Sequence, residues 1–373
     1  MNDFQYYLPV NLIFGRGKTE LLGKEAAKYG KRAMIVTGRS STKESGLLDR
    51  ALTLLKKEGI ETVVFDKAEP NPLASTVKEG AETARRNKCS VIIGLGGGSI
   101  MDCSKAVAFS ACNDGNIFDF IYGKKKGTGA LPLILVPTTC GTGSEGNSFA
   151  VLTDDASKDK KSLRDHAVIA KASIIDPELM ETMPKPVLAS VGFDALCHCM
   201  EAYLSRICCP VTELLALEGI RLIGENLVNV YEDYSDKEGW DSITLASTFG
   251  GMAINLAGVA APHGLEHPAS GLRNITHGRG LAALTPVVYA RSVDAAPVKF
   301  ARISSLLGGR SEKDCVKVIR RLLKWIGLET SLSAEGVKAE DVEWMTENAF
   351  RVSSASIKNH PKVFTKEEVK AIY

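Results

Sequence analysis

Four short apolar runs, each separated from the next by a helical pattern, set the architecture of the first half of this chain. They are "RAMIVTG" (32–38), "ETVVFD" (61–66), "SVIIGLGGGS" (90–99) and "LPLILVPTT" (131–139). Between them lie "ESGLLDRALTLLKKEGI", "LASTVKEGAETARRNK" and "IMDCSKAVAFSACN", whose apolar residues recur at helical spacing. Continuous apolar strands joined through helices must be parallel and buried on both faces. The prediction is a doubly wound α/β sheet.

After about residue 186 the strand signals fade and five amphipathic helical stretches follow. Between the halves, "SFAVLTDDASKDKKSLRDH" reads as a hairpin, and the proline-rich "ASIIDPELMETMPKPVLAS" as the crossing between domains. The expected division is an α/β domain over 1–182 and an all-helical domain over 183–373. No internal repeat or low-complexity segment is visible.

Two loops carry nucleotide chemistry. "GLGGGSIMDCSK" (94–105) leaves a strand and opens a helix, so bare backbone and free helix N–H groups can meet a pyrophosphate. It departs from the usual dinucleotide fingerprint because Ser99 stands where the third glycine belongs. "PTTCGTGSE" (137–145) follows the next strand and is rich in Thr, Ser and Gly. The first strand ends in "TGRSST" without an acid. Gly38, Arg39, Ser40 and Ser41 there suit a 2′-phosphate better than bare ribose hydroxyls, which favours NADP over NAD. Each loop could instead be only a tight or exposed turn.

Asp194 and His198 stand one helical turn apart in "GFDALCHCMEAYLS". His263, His267 and His277 follow in "APHGLEHPASGLRNITHG", the first two again one turn apart. One carboxylate and several imidazoles suit a divalent first-row ion such as Fe²⁺ or Zn²⁺. Cys197, Cys199, Cys208 and Cys209 also cluster, but without paired C-x-x-C spacing they read as buried thiols, and the nine cysteines as reduced.

Composition excludes other classes. Lys+Arg (46) and Asp+Glu (44) nearly cancel, so no nucleic-acid partner is expected. No basic-then-apolar leader opens the chain and no uninterrupted apolar run reaches bilayer length. The expectation is a cytoplasmic protein with no membrane partner.

"GGGSIMDCSK", "PTTCGTGSE", "GFDALCHCMEAY", "HGLEHPASGLRNITHG", "EPNP" (69–72) and "IIDPEL" (174–179) together resemble the signature blocks of the iron-containing (group III) alcohol dehydrogenases, over essentially the whole chain. The resemblance implies a dehydroquinate synthase-like architecture with the active site in the cleft between domains. It makes Asp194, His198, His263 and His277 the metal ligands and sets His267 beside the substrate. It places Asn71, Gly97, Gly98, Ser99, Asp102, Thr138, Thr139, Thr142 and Lys160 around the cofactor. An aspartate at the end of the first strand marks NAD use in that family, and Gly38-Arg39 here matches its NADP-dependent members.

The implied reaction is hydride transfer between NADP(H) and a small alcohol or aldehyde, with His267 as a candidate proton relay, in a homodimer or larger homo-oligomer. Three stretches depart from the family's usual pattern: Ile254 in "GMAINLAG", "NSFAVLT", and "NHPKVFT" (359–365). All three bear on which substrate is taken. The rival readings are a dehydroquinate synthase-like or glycerol dehydrogenase-like enzyme using NAD and zinc, and a non-catalytic metal- and nucleotide-binding protein.

Overall fold

A computed structural model describes residues 3–373. Among the described residues eight strands occur: β1 (Asn11–Phe14), β2 (Arg32–Val36), β3 (Glu61–Phe65), β4 (Val91–Gly96), β5 (Leu133–Pro137), β6 (Phe149–Thr153), β7 (Lys160–Arg164) and β8 (Ala172–Ile175). Six form one sheet in the order β1-β8-β5-β4-β2-β3, with every pair parallel. The four expected strands are β2 to β5. Two were not expected. β1 is a four-residue edge strand, and β8 lies in the segment read as a domain crossing, where the prolines that follow Ile175 obscure so short a strand.

Alternation along each strand divides its side chains between two cores. Ala33, Ile35, Ile93 and Val136 face one cluster, while Met34, Val36, Ile92 and Leu135 face the other. The chain runs outward from β2 to β3, then returns to β4 on the opposite side of β2. The strand ends of β2 and β4 therefore border a topological switch point, where open α/β sheets bind ligands. Thr37, just past β2, ties the two ends by donating to the Leu95 carbonyl at 2.9 Å.

β6 and β7 form the expected antiparallel hairpin, apart from the main sheet. From Lys185 onward the chain is helical among the described residues. Lys185–Leu204, Pro210–Glu232 and Lys237–Ala257 pack together as the centre of a third core. Lys185–Leu204 is, by itself, long and apolar enough to cross a bilayer, yet almost all of it is buried inside this core. A sharp break at Gly258, which adopts a φ of 65° suited to glycine, turns the chain into the Ala261–Arg273 helix. Helix His277–Ala290 follows.

Candidate active site

Three elements of the helical half converge. The Lys185–Leu204 helix brings Asp194 and His198, the Ala261–Arg273 helix brings His263 and His267, and His277 opens the next helix. Close approach of this last helix requires a residue without a side chain at 278. A Cβ there would lie 2.0 Å from the Ser190 carbonyl oxygen. That contact sets His277 against the Asp194 helix.

Asp194 Oδ1 lies 3.4 Å from His263 Nε2 and 3.7 Å from His277 Nε2. Ligand atoms of these three residues all fall within 4.8 Å of one another. Two N or O atoms bound tetrahedrally at about 2.1 Å from one ion would stand about 3.4 Å apart. Asp194 Oδ1 and His263 Nε2 are buried and have no hydrogen-bond partner, a rare state for interior polar atoms. These orphaned atoms and the oxygen–nitrogen donor set fit a divalent ion.

His198 belongs to the same pocket but falls outside that tight set. Its Nδ1 stands 3.7 Å from Asp194 Oδ1 and 3.3 Å from the Gly141 carbonyl, and its ring stacks on His263 with centroids 4.5 Å apart. His267 does not join Asp194. It forms a second group with Glu266 and His277, its ring centroid 6.2 Å from that of His263. The one-turn pairing of His263 with His267 thus does not produce a shared centre with Asp194. The four clustered cysteines form no metal-binding group among the described residues, and all nine are free. Cys197, Cys199 and Cys209 are buried and Cys208 is half-buried.

Two carboxylates that the sequence reading missed stand behind the histidines. Glu201 Oε1 is 2.6 Å from His263 Nδ1, and Glu201 Oε2 accepts from the Ala260 N–H at 2.6 Å. Glu266 Oε2 is 2.5 Å from His277 Nδ1. Both carboxylates are fully buried. The signal was present: each glutamate follows a histidine by three residues, Glu201 after His198 and Glu266 after His263. The pairing crosses between helices, however, so spacing alone assigns each to the wrong ring.

The electrostatics follow from burial and these pairs. Burial would raise Asp194, but the His198, His277 and His263 rings hold its carboxyl well below the usual range. Burial pushes His198 down to about 4, against the pull of Asp194. His263 goes the other way, to about 10, because Glu201 and Asp194 outweigh its burial. Burial and then the Lys160 charge hold His267 far below its ordinary value, so it is neutral at neutral pH. Lys160 Nζ is buried, 3.7 Å from Glu266 Oε2, and links the hairpin to this cluster.

The nucleotide loops lie at the switch point. Gly97 opens the Gly98–Cys112 helix as its N-cap, and Ser99 lies in its first turn. The glycines also have a packing cause: a Cβ on Gly97 would come 2.9 Å from Thr139 Oγ1, and one on Gly98 2.2 Å from Thr142 Cγ2. Thr138, Ser41 and Thr42 line one cleft beside the β2 end. Asp102 is buried, accepting from Ser144 Oγ at 2.6 Å and from the Val151 N–H at 2.9 Å, so it ties the second loop and the hairpin to the helix. Asn71, in a left-handed turn, donates across to Asn274 Oδ1 at 2.8 Å.

Gly38 and Ser40 lead from β2 into the short Ser41–Glu44 helix. Arg39 lines a pocket with Lys43, Asp66, Lys67 and Glu79. Lys43 is paired with Asp66 and Lys67 with Glu79, whereas Arg39 forms no ion pair among the described residues.

Comparison with known proteins adds an independent line. A profile described as "Iron-containing alcohol dehydrogenase" matches residues 9–177, and one described as "Fe-containing alcohol dehydrogenase family, C-terminal" matches residues 188–373. The chain is 34% identical to 1,3-propanediol dehydrogenase of Citrobacter freundii, over 99% of this chain and 98% of that protein. It is 30% identical to NAD-dependent methanol dehydrogenase of Bacillus methanolicus, over 98% of each. Among solved structures, the archaeal halo-thermophilic Red Sea brine pool alcohol dehydrogenase superposes with a TM-score of 0.94 at 31% identity, covering 99% of this chain and 98% of that one.

Proposed function

The chain belongs to the iron-containing alcohol dehydrogenase family and is an alcohol dehydrogenase or aldehyde reductase that uses NAD(P) and a metal, and from that premise we propose its cofactor and the roles of its residues. Asp194, His198, His263 and His277 would hold a divalent ion, Fe²⁺ before Zn²⁺. The observation that carries this reading is the approach of Asp194 Oδ1 to His263 Nε2 at 3.4 Å with neither atom otherwise partnered. Bound there, the ion would act as a Lewis acid on the substrate oxygen while the nicotinamide supplies or accepts hydride.

The chain's own residues do the rest. Gly97, Gly98 and Ser99 open a helix N-terminus to the pyrophosphate. Thr138, Thr139 and Thr142 line its far side, and Asp102 holds their loop through Ser144. Asn71 and Lys160 close on the cofactor from the EPNP turn and the hairpin. His267, kept neutral by burial and Lys160, would pass a proton to or from the substrate oxygen.

NADP(H) is the proposed nucleotide. Gly38, Arg39, Ser40 and Ser41 present an unpaired guanidinium and hydroxyls after β2, with no carboxylate among the four to bind a ribose diol, and the nearby Asp66 and Glu79 are paired with Lys43 and Lys67. The proposed division near residue 182 puts the active site between an α/β and a helical domain, in a cytoplasmic homodimer or larger assembly.

The test is side-by-side reduction of an aldehyde panel with NADH and NADPH, with metal analysis of the same preparation. NADPH preferred by tenfold or more, lost in Arg39→Asp, is expected. Equal use of both nucleotides in the wild type sinks the NADP assignment. Full activity after complete metal removal sinks the ligand assignment.

A further inference from the structure

We infer that the substrate carries an anionic tail, a carboxylate or a related oxyanion, received by the guanidinium of Arg164 at the mouth of the cleft. This rests on the reading of the cleft as an aldehyde-reducing site.

The hairpin register carries the argument. Phe149 pairs with Arg164, Val151 with Ser162 and Thr153 with Lys160. Directly opposed residues in an antiparallel pair share a face. The opposite face, with Ala150, Leu152 and Leu163, is buried in the core of the α/β half. The face bearing Arg164 is therefore the one whose Lys160 reaches Glu266, the partner of His277. The Lys160 end of this face adjoins the proposed metal centre. Arg164 stands four residues beyond Lys160, about 13 Å along the strand.

Arg164 differs from the arginines that pair with carboxylates. Its guanidinium lies over the Phe149 ring, 4.3 Å from the centroid, and Phe149 itself is packed into the helical core. Arg279 and Arg351 each have a carboxylate partner. Arg164 has no hydrogen bond or ion pair among the described residues. The residue is exposed to solvent, yet surrounding protein lowers its pKa by desolvation, with no carboxylate close enough to oppose the shift. A guanidinium fixed on an aromatic platform, partly stripped of water and lacking a counter-ion, is built for a planar oxyanion. An uncharged tail would leave it uncompensated and an ammonium tail would be repelled.

The experiment compares butanal with 4-oxobutanoate, and pentanal with 5-oxopentanoate, using metal-loaded wild type, Arg164→Lys and Arg164→Val with NADPH. A charge-assisted contact of this kind corresponds to about 10–100-fold in kcat/KM. The wild type is expected to favour each oxo acid by that factor. Arg164→Val should erase the preference, chiefly through KM, and Arg164→Lys should restore part of it. Thermal melting of the variants checks that they are folded.

A wild type that reduces butanal as well as 4-oxobutanoate overturns the inference and leaves the aldehyde reductase intact. So does a preference that survives in Arg164→Val. If Arg164→Val instead weakens NADPH binding by the same factor, the anion met by Arg164 belongs to the nucleotide and the inference also falls. If no aldehyde is reduced, the reading beneath it fails as well.

Discussion

Glu201 Oε1 sits 2.6 Å from His263 Nδ1, and both side chains are buried. The contact keeps a hydrogen on Nδ1, so once an ion displaces the second ring proton it is Nε2 that faces the ion beside Asp194. The same carboxylate accepts from the Ala260 N–H and so anchors the start of the His263 helix. Groups standing behind a metal-ligating histidine typically matter 10–100-fold for affinity. Glu201→Ala should weaken metal binding by about that factor, with Glu201→Gln intermediate. Competition against a chromophoric chelator measures it. Affinities within about twofold of wild type would deny Glu201 this role.

The hairpin is fastened to the helical half by Asp159. Its carboxylate accepts from Tyr122 Oη at 2.5 Å, from Asn348 Nδ2 at 2.9 Å and from both Arg351 terminal nitrogens at 2.7 Å. Asp159→Asn should lower unfolding free energy by about 1–3 kcal/mol. Burial alone would raise the Asp159 pKa, but Arg351, Tyr122 and Asn348 hold it below the usual aspartate range. A depressed carboxylate contributes stability above its unfolded pKa and loses it as pH falls through the native value. The gap between wild type and Asp159→Asn should be flat from about pH 5 to 8 and close below about pH 4. Urea midpoints across that range decide it, and a gap that widens on acidification contradicts the assignment.

What the sequence disclosed, and what it hid, divides along physical lines. β2, β4 and β5 were legible because a strand buried on both faces must be apolar, and β3, though a half-exposed edge strand, was legible from its β-branched run Thr62-Val63-Val64. β1 and β8 were not, because four residues at or near an edge leave too short a pattern. Asp194 with His198 was legible because one helix carries both. Convergence with His263 and His277 depends on helix crossings that no spacing encodes, and there the family resemblance supplied the set. Glu201 and Glu266 were hidden for the same reason, since each serves a ring on another helix.

Lys105 illustrates a buried charge the sequence reading passed over as one more helical residue. It has no exposed surface, and its Nζ donates to the carbonyls of Ser144 at 2.6 Å, Asn147 at 3.0 Å and Phe149 at 2.7 Å, and to Asn147 Oδ1 at 2.9 Å. Ser144 lies in the second loop, Asn147 just after it and Phe149 at the start of β6. Lys105→Met would strand them in the interior, at about 1–3 kcal/mol for each group left unsatisfied. Loss of about 3 kcal/mol or more, with weaker NADPH binding, is expected. Denaturant titration and fluorescence quenching by the nucleotide report the two effects. Stability within about 1 kcal/mol of wild type would mean water replaces the ammonium without cost.

The two nucleotide loops grip each other, and this separates packing from ligand contact. A Cβ on Gly98 would sit 2.2 Å from Thr142 Cγ2 and 2.9 Å from Thr142 Cβ, distances that no rotation of a β-branched side chain relieves. Gly98→Ala should therefore push the loops apart and weaken NADPH binding by more than about tenfold, some 1.4 kcal/mol. If the clash is with Thr142, the damage depends on that residue. In a double-mutant cycle with Thr142→Gly, the two changes should couple by about 1 kcal/mol or more, the pair binding better than the sum of the singles. Additivity within about 0.5 kcal/mol would point elsewhere. Glycine at 98 would then be needed for the approach of the pyrophosphate itself.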